Sequence, residues 1–313
     1  MYCSKYCNVC LLPLSVYKDM VTFTIKKSVA KDTFFHKKVT LNAGGKLIDL
    51  TSPKVMGIIN LTPDSFFAGS RKQDVTSVLE QAGKMLAEGA AFLDLGAYSS
   101  RPGAADISAQ EETDRLLPAV EAIIAKYPDA VLSIDTFRAN VAEAAISAGA
   151  HIINDISGGG LDADMFATVA KLQVPYILMH MKGTPQNMVQ QAEYENVFAE
   201  VFDYFVKKYH QLKELGVKDV ILDPGFGFAK KAEHSYTLMK RLQEFNVLQL
   251  PLLVGVSRKR MIYNELGVTA EQALNGTTAL NTIALTKGAD ILRVHDVREA
   301  VEAVKVWKLV NII

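Results

Sequence analysis

From Lys54 onward the chain alternates between short runs of apolar residues and longer stretches with helical spacing. Val55–Asn60 is an apolar run that ends abruptly on a polar amide, and a helix is expected near Val75–Glu88. The same pattern then returns. Phe92–Leu95 precedes a helix over Ala109–Lys126, and Ala130–Ile134, ending at Asp135, precedes Ala139–Ser147. His151–Ile153, ending at Asn154, precedes a helix near Ala163–Lys171. Pro175–Met179, ending at His180, precedes a long helix over Tyr194–Leu215. Val220–Leu222, ending at Asp223, leads to Ser235–Phe245. Leu252–Val256, ending at Ser257, leads to Lys259–Leu266 and Ala270–Lys287. Ile291–Leu292 reaches Arg293 and His295 before a closing helix over Val297–Val310. Uninterrupted apolar runs of this length are the pattern of strands buried on both faces, as in parallel sheets. Gly89, Gly149, Gly216 and Gly288 stand where helices should stop and turn into strands. Eight such units with right-handed crossovers predict an α/β protein, a (β/α)8 barrel. An open doubly wound sheet is the alternative, but the first strand is not followed by the expected Gly-x-Gly-x-x-Gly turn.

Ahead of the repeat, Val21–Ile25 and Val39–Leu41 read as strands. Gly44-Gly45 makes a turn into Leu47–Ile48, so a small hairpin plugging the bottom of the barrel is expected. Residues 1–20 read as a disordered extension, and 21–313 as a single barrel domain. The three cysteines, Cys3, Cys7 and Cys10, all fall in that extension. Their Cys-x3-Cys-x2-Cys spacing resembles the cluster motif of radical S-adenosylmethionine enzymes, but no strand precedes it, and an N-terminal extension is the simpler reading. The cysteine-free remainder excludes a disulfide framework and points to the cytoplasm. No apolar run is long enough to cross a bilayer.

Lys plus Arg and Asp plus Glu both number 34, so no net field draws nucleic acid or a membrane surface. An anionic substrate must instead be held by a few placed cations. The strand ends supply candidates: Asn60, Asp94, Asp135, Asn154, His180, Asp223, Ser257, Arg293 and His295. Each falls on the C-terminal face, where barrels carry their chemistry. Any one of them is as readily a group tying down a loop as a ligand-binding residue, but a ring of them points to a site. Asp135, Asn154 and Asp223 suit a flat, nitrogen-rich heterocycle such as a pterin or purine. Lys259, Arg293 and His295, with Ser257 as a small donor, suit phosphates. A solvated basic helix start is the bland alternative for Ser257–Arg260, more so for Arg258 and Arg260 than for Lys259. His180 beside Asp94 or Asp135 suggests zinc only weakly, because no His-x-x-x-His or cysteine pair supports it. Mg2+ on Asn60 and substrate phosphates fits better, which leaves His180 as a packed or loop-ordering histidine. The segments 62–71, 97–105, 157–160, 182–190 and 224–231 have the composition of loops and are candidate lids. Phe66, Phe67 and Pro102 could wall an aryl second substrate.

Taken with their order and spacing, these segments resemble a known family. They are Ile58–Phe66 (Ile-Ile-Asn-Leu-Thr-Pro-Asp-Ser-Phe), Ser99-Ser-Arg-Pro-Gly103, Ser133-Ile-Asp135-Thr, Ile153–Gly159, Met179-His-Met181, Asp223-Pro-Gly-Phe-Gly-Phe228, Ser257-Arg-Lys-Arg260 and Arg293-Val-His295. From about Lys54 to the C-terminus they resemble the dihydropteroate synthases. The resemblance implies an enzyme that joins 6-hydroxymethyl-7,8-dihydropterin pyrophosphate to p-aminobenzoate, giving 7,8-dihydropteroate and pyrophosphate. It implies Asp135, Asn154, Asp223 and Lys259 around the pterin, with Met179 also contacting substrate. Asn60, Arg293 and His295 would hold the pyrophosphate, Asn60 through Mg2+. Phe66, Ser100, Arg101, Pro102, Phe228 and Ser257 would form the p-aminobenzoate pocket, where sulfonamides should compete. A homodimer through the apolar segments Ala279–Leu285 and Val301–Val310 is a further implication. Two departures stand out. Ala97-Tyr98-Ser99-Ser100-Arg101 replaces the commoner Glu-Ser-Thr-Arg, and Phe67-Ala-Gly-Ser70 replaces Ser-Asp-Gly-Gly. The rival readings are a methyltetrahydrofolate methyltransferase, which has no use for the Ser257–Lys259 and Arg293–His295 cations, and a non-catalytic barrel, which should have lost some of these residues.

Overall fold

The computed structural model describes residues 37–61, 71–99 and 106–311, with the side chains of 71–74 left out. The expected extension over 1–20, the strand at Val21–Ile25 and the cysteine motif lie outside the described residues. Lys37–Ile313 forms one compact unit. A hairpin of β1 (Thr40–Ala43) and β2 (Lys46–Asp49) comes first, turning through Gly44-Gly45 as expected. Then follow β3 (Lys54–Asn60), α1 (Arg71–Glu88), β4 (Phe92–Gly96), α2 (Ala109–Lys126), β5 (Leu132–Asp135), α3 (Ala139–Ser147), β6 (Ile152–Asp155), α4 (Met165–Leu172), β7 (Tyr176–Met179), α5 (Val197–Glu214), β8 (Val220–Asp223) and α6 (Ala232–Lys240). A 3-10 turn at Leu242–Leu248 leads to β9 (Leu253–Val254), α7 (Arg260–Leu266), α8 (Leu274–Thr286), β10 (Ile291–Val294) and α9 (Val297–Asn311).

The strands β3 to β10 form one eight-stranded parallel sheet in the order β8-β7-β6-β5-β4-β3-β10-β9. A parallel bridge from Leu222 to Leu252 joins its two ends. The protein is a (β/α)8 barrel.

Several boundaries differ from the sequence pattern: α1 begins at Arg71 rather than Val75, α5 at Val197 rather than Tyr194, β9 spans only Leu253–Val254, and two further helices differ for a visible reason. The helix expected over Ser235–Phe245 stops at Lys240 and tightens into the 3-10 turn, where Leu242 and Phe245 still reach the core. The helix expected from Ala270 begins only at Leu274, because Ala270 to Ala273 is a turn whose carbonyls at Ala270 and Glu271 are taken by Arg258.

Two layers of apolar packing follow from the period-2 geometry of strands. Outward residues such as Ile59, Leu93, Leu95, Ile134, Ile153, Leu178 and Leu222 pack against the helices. Inward residues at the start of each strand form a second cluster: Met56, Phe92, Val131, Ile152, Ile177, Ile221, Leu253 and Ile291. Leu41, Ala43 and Leu50 pack against this layer, so the hairpin stoppers the N-terminal end of the barrel. The barrel interior is therefore dry at its base, and any polar chemistry must lie above that layer.

Leu41 is fully buried in the stopper. We expect Leu41→Ala to lower the unfolding free energy by about 3 kcal/mol in urea titration, the usual cost of an unfilled core position. Turnover per folded molecule should be unchanged, since the site lies at the other end of the strands.

Candidate active site

Counting two residues up each strand from the dry layer gives the next inward ring: Ile58, Asp94, Ser133, Asn154, Met179, Asp223, Gly255 and Arg293. Two residues further come Asn60, Gly96, Asp135, Ile156, Met181, Gly225, Ser257 and His295. The alternation of the pleat thus lifts most of the strand-end candidates into two adjacent rings at the barrel mouth. The glycines make room. A Cβ on Gly96 would stand 3.3 Å from the Asp135 Cβ, and one on Gly255 would stand 3.8 Å from the Arg293 Cβ.

Arg293 organises the lower ring. Its Nη2 lies 2.6 Å from Asp94 Oδ2 and 2.8 Å from Asp135 Oδ2, and its Nε donates to Asp94 at 2.7 Å. Asn154 Nδ2 donates to the same Asp94 oxygen at 3.0 Å. Asp94 is fully buried, and its Oδ1 has no partner among the described residues. The sequence pattern separated a heterocycle group from a phosphate group. The structure joins them, because Arg293 spans from one to the other. Asp94 was legible as a strand-end carboxylate but had no assigned role, and here it anchors both Arg293 and Asn154.

Lys259 does not stand with the phosphate-type cations. Its Nζ donates to the Phe226 carbonyl and lies 4.6 Å over the Phe228 ring, with Asp223 its strongest charge partner. Desolvation pushes its pKa down to about 8, against the pull of Asp223. Desolvation likewise raises Asp223, opposed first by Lys259. Asp135 is pushed up to about 7 by desolvation, with Arg293 opposing and Asp94 adding to the rise. Desolvation acts to lower the Arg293 pKa, but Asp94 and Asp135 outweigh it and raise the value, so the guanidinium stays charged.

At the rim, Ser257 Oγ lies 3.1 Å from His295 Nδ1 and accepts from the His295 backbone N–H at 3.2 Å. In the tautomer where Ser257 donates to Nδ1, the imidazole proton stands on Nε2. The surrounding protein and then Arg293 push the His295 pKa down, so its imidazole is neutral. Arg258, between Ser257 and Lys259, is not the solvated cation of the bland sequence reading. Its guanidinium grips Asp296 through two contacts of 2.8 Å and also donates to the carbonyls of Ala270 and Glu271. It takes a left-handed φ of 54° to do so. That fork locks the end of β9 to the residue following His295. Arg260, by contrast, is exposed as expected.

His180 is 3 % exposed and accepts from Lys230, which makes it the loop-ordering histidine rather than a metal ligand. Phe228 is half-buried against Met179, Met181, Met188 and Ile156, an apolar shelf beside the polar rings. Tyr98, one of the departures, packs edge-on against Phe137 at 5.0 Å, and its hydroxyl accepts from Gln186 at 2.7 Å. Phe66, Phe67, Ser100, Arg101 and Pro102 lie outside the described residues. Asn60 closes the upper ring, half-buried, with no hydrogen bond from its amide to another described residue. Among the described residues no cluster of three His, Cys, Asp or Glu side chains could cage a metal ion.

Residues 56–295, which span all of these strand ends, match the pterin binding enzyme family. The relatives sharpen that match. Dihydropteroate synthase of Escherichia coli K12 is 43% identical over 272 residues, covering 85% of this chain and 94% of that protein. The dihydropteroate synthase of Haemophilus influenzae is 40% identical, covering 86% and 98%. The chain belongs to the dihydropteroate synthase family. Solved structures of the family superpose closely. The Yersinia pestis enzyme with a sulfonamide drug complex gives a TM-score of 0.82 at 40% identity, covering 88% of this chain and all of that one. The Xanthomonas albilineans enzyme in complex with 7,8-dihydropteroate gives 0.79 at 34% identity, covering 88% and 99%.

Two predictions follow from the charges. Asp135 becomes a carboxylate as pH rises through about 7, and Lys259 loses its proton as pH rises through about 8. A reaction needing both ions should show kcat/KM highest between those values and falling on either side. Lys259→Arg keeps its charge at high pH, so its alkaline limb should move up while the acid limb stays; an unmoved alkaline limb would assign that limb to another group. Asp94→Asn should lower kcat/KM roughly a hundredfold, in line with removing one partner of a buried charge pair. A loss within about threefold would mean that Arg293 is held without Asp94.

Proposed function

We propose that the chain condenses 6-hydroxymethyl-7,8-dihydropterin pyrophosphate with p-aminobenzoate to give 7,8-dihydropteroate and pyrophosphate. The observation that carries this reading is the bridge of Arg293 between Asp94 and Asp135, with Asn154 on the same Asp94 oxygen. It brings heterocycle-reading groups and an anion-binding cation into direct contact across the two rings of the mouth, as a substrate that joins a pterin to a diphosphate requires.

In this mechanism Asp135, Asn154 and Asp223 read the amino-pyrimidinone edge of the pterin, with Lys259 beside them and Met179 against the ring. Arg293 and neutral His295, donating through Nε2, take the diphosphate oxygens. Among the described residues the Asn60 amide makes no hydrogen bond and no cluster of His, Cys, Asp or Glu forms a metal cage, which suits Mg2+ carried mainly by phosphate. Asn60 would hold Mg2+ through its amide oxygen, and the bound ion would neutralise charge on the departing diphosphate. The bond between the exocyclic CH2 and the diphosphate oxygen breaks with its electron pair leaving on oxygen. The carbocation left behind is delocalised into the pterin, where the carboxylates stabilise it. The arylamine nitrogen then attacks, and its excess proton leaves to solvent or to the diphosphate. No covalent enzyme intermediate is required. Phe228 and Ser257, with Phe66, Ser100, Arg101 and Pro102, form the proposed arylamine pocket, where a sulfonamide would compete.

We further propose that the catalytic unit acts as a homodimer in the cytoplasm. Ile283 of α8 and Val306, Leu309 and Val310 of α9 expose large apolar side chains on the outer surface. No helix among the described residues is long and apolar enough to cross a membrane.

The test is pyrophosphate release from purified protein given the dihydropterin pyrophosphate, Mg2+ and p-aminobenzoate. Release should require the arylamine and be suppressed competitively by a sulfonamide. Tight pterin binding without release would instead favour a pterin-binding methyltransferase or a silent barrel.

A further inference from the structure

The mechanism leaves one buried amine unused. Lys230, at the end of the loop after β8, is 8 % exposed. Its Nζ donates to His180 Nδ1 at 2.9 Å, to the His180 carbonyl at 3.0 Å and to the Phe228 carbonyl at 3.0 Å. The terminal nitrogen thereby has three contacts within the protein itself. The acceptors come from two separate places, the end of β7 and the body of the β8 loop.

That loop is unusual in its backbone. Gly225, Gly227 and Ala229 all have positive φ, at 69°, 78° and 47°. A Cβ on Gly225 would stand 2.1 Å from the same His180 carbonyl that Lys230 contacts. Tyr194 donates to the Ala229 carbonyl at 2.9 Å. His180 is itself fixed edge-on against Tyr204 at 4.8 Å, and Tyr204 donates to the Met179 carbonyl at 3.0 Å. The loop's working parts are the Phe226 carbonyl, which accepts from Lys259, and the Phe228 ring, which lies under Lys259 and against Met179, Met181 and Met188. Within the loop the Phe228 N–H donates to the Gly225 carbonyl at 3.1 Å and the Gly225 N–H to Asp223 Oδ1 at 2.8 Å, which shape the turn. The Lys230 contacts to His180 and to the Phe228 carbonyl tie that turn to the end of β7.

We infer that Lys230 is a positioning residue for the second substrate, stapling the β8 loop to the end of β7 through His180 so that the Phe228 ring forms one wall of the arylamine pocket. The inference rests on the reading of Phe228 as part of that pocket. Burial holds the Lys230 pKa well below the ordinary lysine value, with Asp223 opposing and Lys259 and Lys182 adding to the fall, so a basic group here carries an electrostatic cost. An apolar side chain of the same length would fill the space equally well, and what Lys230 adds to packing is the three directed polar contacts.

The experiment compares Lys230→Met, which keeps the stem and removes the donors, with Phe228→Leu and the double variant. Active sites are counted by calorimetric titration with the pterin substrate. For Lys230→Met we expect KM for p-aminobenzoate to rise about tenfold or more, with kcat per active site and pterin Kd each within about threefold of the parent. The double variant should be no worse than the more affected single variant, because both changes act on one ring. Lys230→Gln, which retains two N–H donors, should recover part of the loss. A protein with normal KM and only a lower Tm or a smaller active fraction would overturn the inference and leave Lys230 as a structural residue. If Phe228→Leu leaves KM unchanged while Lys230→Met raises it, the loop is positioned as inferred and the Phe228 assignment falls. If Phe228→Leu raises KM and Lys230→Met does not, the pocket stands and the staple falls.

Discussion

A guanidinium held between two carboxylates at the centre of a closed barrel is the constraint on which the rest of the site depends. Arg293 cannot shed its charge, so its burial demands counter-charges, and Asp94 and Asp135 supply them from neighbouring strands. Removing any one of the three leaves an uncompensated charge in a desolvated mouth. This mutual requirement places Asn154 as well, since Asp94 binds it through the oxygen that also faces Arg293. The price is a ring of acids whose protonation is shifted upward, Asp135 to about 7 and Asp223 above its ordinary value, both through desolvation. A site so built is tuned by its own crowding: the groups that a pterin and a diphosphate need are already in electrostatic balance before either arrives.

Around this centre, side chains that touch no substrate in the proposed mechanism hold those that do. Arg258 grips Asp296 and so ties the end of β9 to the end of β10, fixing Ser257 and His295 at hydrogen-bond distance. Lys230 ties the β8 loop to β7. Both are basic side chains whose contacts lie on the protein itself, and Arg258 directly precedes Lys259, a cation assigned to substrate. In the linear chain Arg258 and Lys259 are indistinguishable basic neighbours. In the barrel one points back to Asp296 and the other forward over Phe228, because the left-handed turn at Arg258 sends them in different directions.

The sequence alone determined the barrel and most of its site. Eight apolar runs ending on polar residues, separated by amphipathic helices that stop at glycine, admit few other topologies once crossovers are right-handed. Strand ends in such a barrel converge on one face whatever the details. Asp135, Asn154, Asp223, Arg293 and His295 could therefore be placed at a common mouth before any distance was known, and the motif order pointed to the family. The tertiary structure decided which of them touch. Closure of the sheet through Leu222 and Leu252 and the register of neighbouring strands set Arg293 against Asp94 and Asp135, residues 199 and 158 positions away along the chain. No local pattern encodes a contact of that span, since it depends on how far each strand is staggered against the next. The same is true of Lys230 and His180, fifty positions apart. Composition and periodicity record which residues face inward; only the packed barrel records which inward residues meet.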